Sequence, residues 1–201
     1  MTYFAENWIR IIENIAVILS FIYLYLSIKR RVSLWIFGFL CSALYAIVFF
    51  QSQFYAGASL QFYYLFVSVY GWINWQRGKE NDKKEQKISQ APKRTISYLA
   101  VISLLIFAAY YFIHTKTDSN LIVATGDSFV TALSIVATWM LAKKYIEYWL
   151  VFMIANPISA ALFFYQGLYS TSVLFVVYGI MAVVGYLQWK KSLIKENVFI
   201  N

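Results

Sequence analysis

The chain is poor in the residues that most protein chemistry needs: one cysteine, one histidine and only 13% charged residues among 201. A lone Cys41 inside an apolar segment excludes a disulfide framework and a thiolate metal site, and reads as a small core residue. His114 has no second histidine to join, and at the outer end of its apolar run an interfacial place is expected. No apolar run holds a nucleophile with a base, a carboxylate pair or a set of metal ligands. Lipid makes such groups costly, and an intramembrane enzyme would have to keep them. Neither catalysis nor a cofactor is therefore expected. With no carboxylate at mid-run, facilitated diffusion is expected over ion-coupled pumping, although backbone carbonyls are able to bind an ion.

What the chain has instead is apolar length. It is 61% hydrophobic with a mean hydropathy of +0.61, which does not fit an ordinary soluble domain. Residues 1–13 carry acids and a tryptophan rather than a basic leader, so the first apolar run reads as a retained helix. Runs of bilayer-spanning length predict helices over about 11–28, 33–50, 57–75, 95–113, 127–142, 148–165 and 171–189. Backbone groups in lipid must be satisfied within each segment, so the expected fold class is all-α integral membrane.

A net charge of +8 would suggest nucleic acid in a soluble protein, but here the cations lie between apolar runs. Lys29, Arg30 and Arg31 follow the first run; Arg77, Lys79, Lys83, Lys84, Lys87, Lys93 and Arg94 follow the third. Lys143 and Lys144 follow the fifth, and Lys190, Lys191 and Lys195 follow the seventh. That places 15 of 17 basic residues on one side, with Arg10 and Lys116 on the other. The positive-inside rule puts the N-terminus outside and the C-terminus in the cytoplasm, and the alternation requires an odd number of crossings. Segment 76–94 reads as a solvated loop, with anionic lipid headgroups as the alternative partner.

The sequence also repeats itself at an offset of 114 residues without a gap. Lys29 and Arg30 align with Lys143 and Lys144, Trp35 with Trp149, and Tyr64 with Tyr178. Gly71 and Trp75 align with Gly185 and Trp189. This predicts one transmembrane domain, 1–201, built as three helices plus one plus three. Its parts are a first repeat over 11–77, a linker with the fourth helix over 78–126, and a parallel second repeat over 127–191. Parallel repeats of this kind are a transporter layout, with solute near the midplane and access alternating as the halves rock. A channel or receptor shares the layout.

Aromatic residues make up 20% of the chain, accompanied by uncharged Gln51, Gln53, Gln61, Asn74, Asn156 and Gln166. Aromatic faces stack on flat heterocycles and attract cations, while amides pair with carboxamide or hydroxyl groups. That lining suits a planar, polar vitamin, whether neutral or cationic. For Trp8, Trp35, Trp75 and Trp189, near helix ends, an interfacial belt is the preferred reading. Trp149, Phe152 and Asn156 fall on one helix face. They form either a solute stripe or a packing seam with one interhelical hydrogen bond. Pro157 next to Asn156 frees a backbone carbonyl one turn back. Glu13 and Asp127 open the first and fifth expected helices as dipole caps or as an external cation-attracting pair.

The phrases FFQSQFYA, LQFYYLFVSVYGWINW, DSFVTALSIVAT, KKYIEYWL and FFYQGLYSTS resemble the PnuC family of vitamin transporters, over most of the chain. The resemblance implies a bacterial inner-membrane carrier with a SWEET-like three-plus-one-plus-three fold, commonly a homotrimer. Its substrate would be nicotinamide riboside, with thiamine, riboflavin or a deoxynucleoside as alternatives, trapped by cytoplasmic phosphorylation. Carriers of nicotinamide riboside bear Trp-x-x-Trp-x-x-x-Asn on the sixth helix; here Trp149 and Asn156 match, and Phe152 replaces the second tryptophan. Cys41 and Val184 stand where polar residues are expected. The implied substrate-binding set is Trp149, Phe152, Asn156, Gln61, Tyr64, Tyr178, Gln166 and Asn74. A non-transporting sensor or scaffold is the alternative of another class.

Overall fold

The computed structural model describes residues 2–51, 55–80, 87–117, 120–167 and 169–198, with side chains left undescribed at 2–10, 13, 14, 55–57, 78–80, 117, 170 and 196–198. The described chain is helical: α1 Thr2–Ile28, α2 Leu34–Gln51, α3 Tyr55–Glu80, α4 Lys93–Thr117, α5 Leu121–Ala142, α6 Glu147–Tyr165 and α7 Tyr169–Val198. Five of these, α2, α4, α5, α6 and α7, are long and apolar enough to cross a membrane. In α1 the apolar part is Ile15–Ile28. The 26-residue α3 has the length, but Gln61, Asn74 and its tyrosines lower its hydropathy.

The helices overrun several expected limits. The first starts nine residues early because its polar leading turns continue the helix, and α7 runs past the apolar stretch into Lys190, Lys191 and Lys195. The fifth starts at Leu121 because Asn120 is its N-cap, its side-chain oxygen accepting from the Ile122 and Val123 amides at 3.1 and 3.3 Å. Asp127 is therefore not a cap, contrary to expectation. It lies inside the helix and faces His114, with Oδ2 3.4 Å from Nδ1. His114, in the last turn of α4, is 3% exposed, so its ring is covered by protein neighbours. The Glu13 side chain lies outside the described residues.

The chain forms two compact units, 1–86 and 87–201. Within the first, α2 packs against both α1 and α3; within the second, α4 packs on α5, α5 on α6, and α6 on α7. The turns α1–α2 and α5–α6 match bond for bond at the 114-residue offset. In the first, the Arg31 amide donates to Leu26 O at 3.0 Å and Arg30 to Ser27 O at 3.1 Å. In the second, Tyr145 donates to Met140 O at 3.0 Å and Lys144 to Leu141 O at 2.9 Å. These paired bonds make a Schellman cap, which needs a left-handed residue at its centre. Arg30 and Lys144 supply it at φ 57° and 55°, although neither is glycine. Lys29 over Tyr25 at 5.8 Å and Lys143 over Trp139 at 5.7 Å complete the correspondence.

The expected solvated loop is a docked strap where it is described. Ser89 donates to Lys144 O at 3.1 Å and its carbonyl accepts from the Ile146 amide at 3.0 Å, a single parallel bridge. The Ala91 amide donates to Glu147 Oε2 at 3.0 Å. Ile88 and Ala91 are buried there, 3% and 7% exposed. Apolar Ile88 and Ala91 in a polar sequence are too sparse to show a period, which is why the segment reads as loop. Residues 81–86 lie outside the described residues.

Candidate solute site

At the basic end of each unit, a tryptophan is clamped by a glycine and a second tryptophan. A Cβ added at Gly71 would stand 2.3 Å from Trp35 Cζ2, and one added at Gly185 would stand 2.4 Å from Trp149 Cη2. Only glycine allows the indole to lie on the α3 or α7 backbone. Trp75 then meets Trp35 edge-on at 5.6 Å and 89°, and Trp189 meets Trp149 at 5.9 Å and 86°. All four rings are at most 1% exposed. The interfacial belt expected for Trp35, Trp75 and Trp189 is thus corrected: these rings are interior locks between helices, since the facing glycine draws them in. The Trp8 side chain lies outside the described residues.

Trp149 has the same environment, with Tyr148 also against it at 4.3 Å. Its ring has no open face in this conformation. The expected stripe on α6 is therefore divided along the helix, with a packed tryptophan at the basic end and a polar residue deeper in. Asn156 is the tenth of the 19 residues of α6, about 10 Å along the axis from Trp149. It is 6% exposed, and its amide makes no hydrogen bond to another described residue. The amide atoms are not among the fully enclosed polar groups, so their donors and acceptor stay open to a small polar molecule. Pro157 beside it has no N–H to return to the Met153 carbonyl, so backbone polarity is available at the same depth.

Phe152 lies one turn from Asn156, half-buried and edge-on to Tyr148 at 5.7 Å and 84°. Tyr178 on α7 is half-buried and meets Phe175 at 5.7 Å. The two helices are fastened beyond Asn156 by the Ser172 hydroxyl, which donates to Ala160 O at 2.8 Å. In the first unit Gln61 is a second buried amide, 8% exposed and without a hydrogen bond to another described residue. Tyr64 is half-buried next to Tyr63, with ring centroids 5.6 Å apart. Asn74 is half-buried and already engaged by neighbours, and Gln166 is an exposed C-cap of α6. The second unit therefore gathers Phe152, Asn156 and Tyr178 on the α6–α7 pair, and the first holds Gln61 and Tyr64 on α3. Gln53 lies outside the described residues.

Two features escape a sequence reading. Gly38 on α2 admits Tyr23 of α1 to 3.0 Å and the Ser68 hydroxyl of α3 to 3.3 Å from an added Cβ. Cys41 Sγ donates to Ala16 O of α1 at 3.4 Å, so the cysteine joins two helices as the core residue it was expected to be. The residues 114 positions beyond Tyr23 and Gly38 are Ala137 and Phe152. The aromatic bulk is thus supplied by the first helix in one unit and by the middle of α6 in the other. An inverted pair of this sort is visible only once the repeats are aligned position by position. Among the described residues no three His, Cys, Asp or Glu side chains gather to hold a metal.

A family model, that of the nicotinamide mononucleotide transporters, matches residues 10–191. The nicotinamide riboside transporter PnuC of Escherichia coli (strain K12) is 30% identical over 209 residues, covering 92% of this chain and 86% of its own. The riboflavin/roseoflavin transporter RibM of Streptomyces davaonensis is 24% identical, covering 90% and 84%. A crystal structure of the vitamin B3 transporter PnuC superposes with a TM-score of 0.70 at 22% identity, over 96% of this chain and 85% of that one.

Proposed function

The chain belongs to the nicotinamide mononucleotide transporter family that includes the PnuC carriers, a family of multi-pass membrane proteins, and from that premise we propose that it imports nicotinamide riboside across the bacterial inner membrane by facilitated diffusion. The observation that carries the reading is Asn156: a buried amide at the midpoint of α6 with no hydrogen bond to another described residue. A carboxamide is its natural complement, because each amide offers what the other accepts. Phe152 and Tyr178 supply aromatic surface for the pyridinium ring. In this reading Trp149 positions α6 and reaches solute only if its lock opens.

The rest of the proposal concerns motion and setting. Two three-helix repeats joined by α4 rock around the midplane, the basic turns face the cytoplasm, and phosphorylation inside the cell traps the vitamin. The apolar side of α4, with Val101, Leu104, Leu105 and Phe112 all more than half exposed, offers a surface to lipid and to sister subunits of a homotrimer. Thiamine is the second reading, because Phe152 keeps a stacking face for a cationic heterocycle without the indole N–H. The riboflavin carrier among the relatives puts riboflavin next.

Competition binding to the purified protein with nicotinamide riboside, thiamine and riboflavin tests the substrate. Nicotinamide riboside is expected to compete best; binding of thiamine alone would remove the assignment and leave the family intact. In proteoliposomes, uptake should persist after proton and sodium gradients are collapsed. Strict dependence on either gradient would rule out facilitated diffusion, and absence of any flux from folded protein would favour a sensor or scaffold.

A further inference from the structure

Gly185 of the second unit is required by packing, since an added Cβ would meet the Trp149 ring at 2.4 Å, and one at Gly126 would meet the Leu162 methyls at 2.6 Å. Gly179 on α7 is different. An added Cβ there would stand no closer than 3.8 Å to Asn156 Cβ and 3.9 Å to Pro157 Cδ, ordinary contact distances. Its φ is not in the left-handed region, so the backbone does not demand glycine either. Glycine inside a helix costs about 1 kcal/mol relative to alanine, so the position gives up stability without a packing or conformational return. What the missing side chain leaves is room for about one methyl group, bordered by Asn156 Cβ and the ring of the proline that frees a carbonyl, next to an amide that makes no hydrogen bond to another described residue. At the equivalent place in the first unit, Leu65 stands for Gly179 and Ser42 for Asn156. There a bulky residue and a short one take the places of the glycine and the amide.

We propose that Gly179 is a specificity-determining residue: its missing side chain forms the recess in which the edge of a planar nitrogen heterocycle reaches the Asn156 amide. The inference rests on the substrate-site reading of Asn156. It makes Gly179 a wall of the site, whose size sets which ring is admitted, in contrast to the lock glycines Gly71 and Gly185. Side chains added at 179 grow into solute space. A methyl group narrows the recess, and a leucine closes it.

The test separates a wall from a packing role by the sign of two effects. Gly179→Ala, Gly179→Leu and Asn156→Leu are purified, and thermal melting without solute is measured beside equilibrium binding of nicotinamide riboside, thiamine and riboflavin. Gly179→Ala is expected to melt higher than wild type, through helix propensity, yet to bind the preferred vitamin about three- to tenfold more weakly, a factor of ten being about 1.4 kcal/mol. Gly179→Leu should lose at least about thirtyfold while keeping a cooperative melt. Larger rings should be penalised more than nicotinamide riboside by the alanine variant. A lower melting temperature for Gly179→Ala overturns the proposal by making this a packing glycine. Unchanged affinity in both glycine variants, with binding lost in Asn156→Leu, overturns it and leaves the site reading standing. Unchanged affinity in Asn156→Leu removes the site reading itself.

Discussion

The two units are alike at their basic ends and unlike at mid-helix. At the ends, residues 114 apart share a Schellman cap, a cation–aromatic contact and a tryptophan clamped on glycine. Toward mid-helix the correspondence breaks: three and seven residues along the middle helix Gly38 stands for Phe152 and Ser42 for Asn156, and on the next helix Leu65 stands for Gly179. Packing at the ends must be satisfied in each unit by itself, and the same geometry solves it twice. On the proposed reading, solute contact does not have to be satisfied twice. The repeat is kept where it builds helices into a bundle and departs at 38, 42 and 65, the counterparts of the residues proposed to meet solute.

The largest effects should fall on the locks and should be equal. Trp35→Ala and Trp149→Ala each remove a ring at 1% exposure, and each is expected to cost about 3–5 kcal/mol in unfolding measured in detergent. Unequal losses would show that one ring does more than pack, and loss of solute binding by Trp149→Ala at full stability would restore it as a stacking residue. Gly71→Ala and Gly185→Ala place a Cβ 2.3 and 2.4 Å from an indole carbon, so each should destabilise by about 1–3 kcal/mol. Here a small effect at one site would mean that its tryptophan is able to swing aside.

Smaller effects sharpen the contrast. The strap is peculiar to the second unit as described, because Glu147, which accepts from the Ala91 amide, aligns with Ser33. Glu147→Ala should cost about 1 kcal/mol and speed hydrogen exchange at Ala91 and Ile146, while Ser33→Ala leaves stability unchanged. The smallest effect concerns the caps. Arg30→Gly relieves a left-handed side chain at φ 57° and should stabilise by no more than about 1 kcal/mol. Lys144→Gly relieves the same strain but gives up a side chain that is 2% exposed, so its gain should be smaller or reversed.

The sequence made the membrane class, the helix order and the internal repeat legible, because apolar length and a gapless offset are local signals. Its offset placed Trp35, Gly71 and Trp75 opposite Trp149, Gly185 and Trp189, although not what the rings touch. Interfacial and interior tryptophans share the same position near a helix end; only the facing glycine, on another helix, separates them. The start of α5 escapes the sequence because a cap seven residues upstream of Asp127 depends on Asn120 alone. The docking of 87–92 was missed because a backbone bridge leaves little side-chain pattern. Asn156 was legible as a polar residue in an apolar run, whereas its lack of a hydrogen-bond partner required its neighbours.

The central claim, one scaffold used twice with solute chemistry on one side, is tested most directly by a matched pair of substitutions at equivalent positions. Nicotinamide riboside binding is measured by titration calorimetry for Asn156→Ala and Ser42→Ala, both monitored for folding. The account predicts a loss of about tenfold or more for Asn156→Ala, as removal of a buried amide partner implies, and affinity within about twofold of wild type for Ser42→Ala. Equal losses at the two positions, or full affinity in Asn156→Ala, would contradict it.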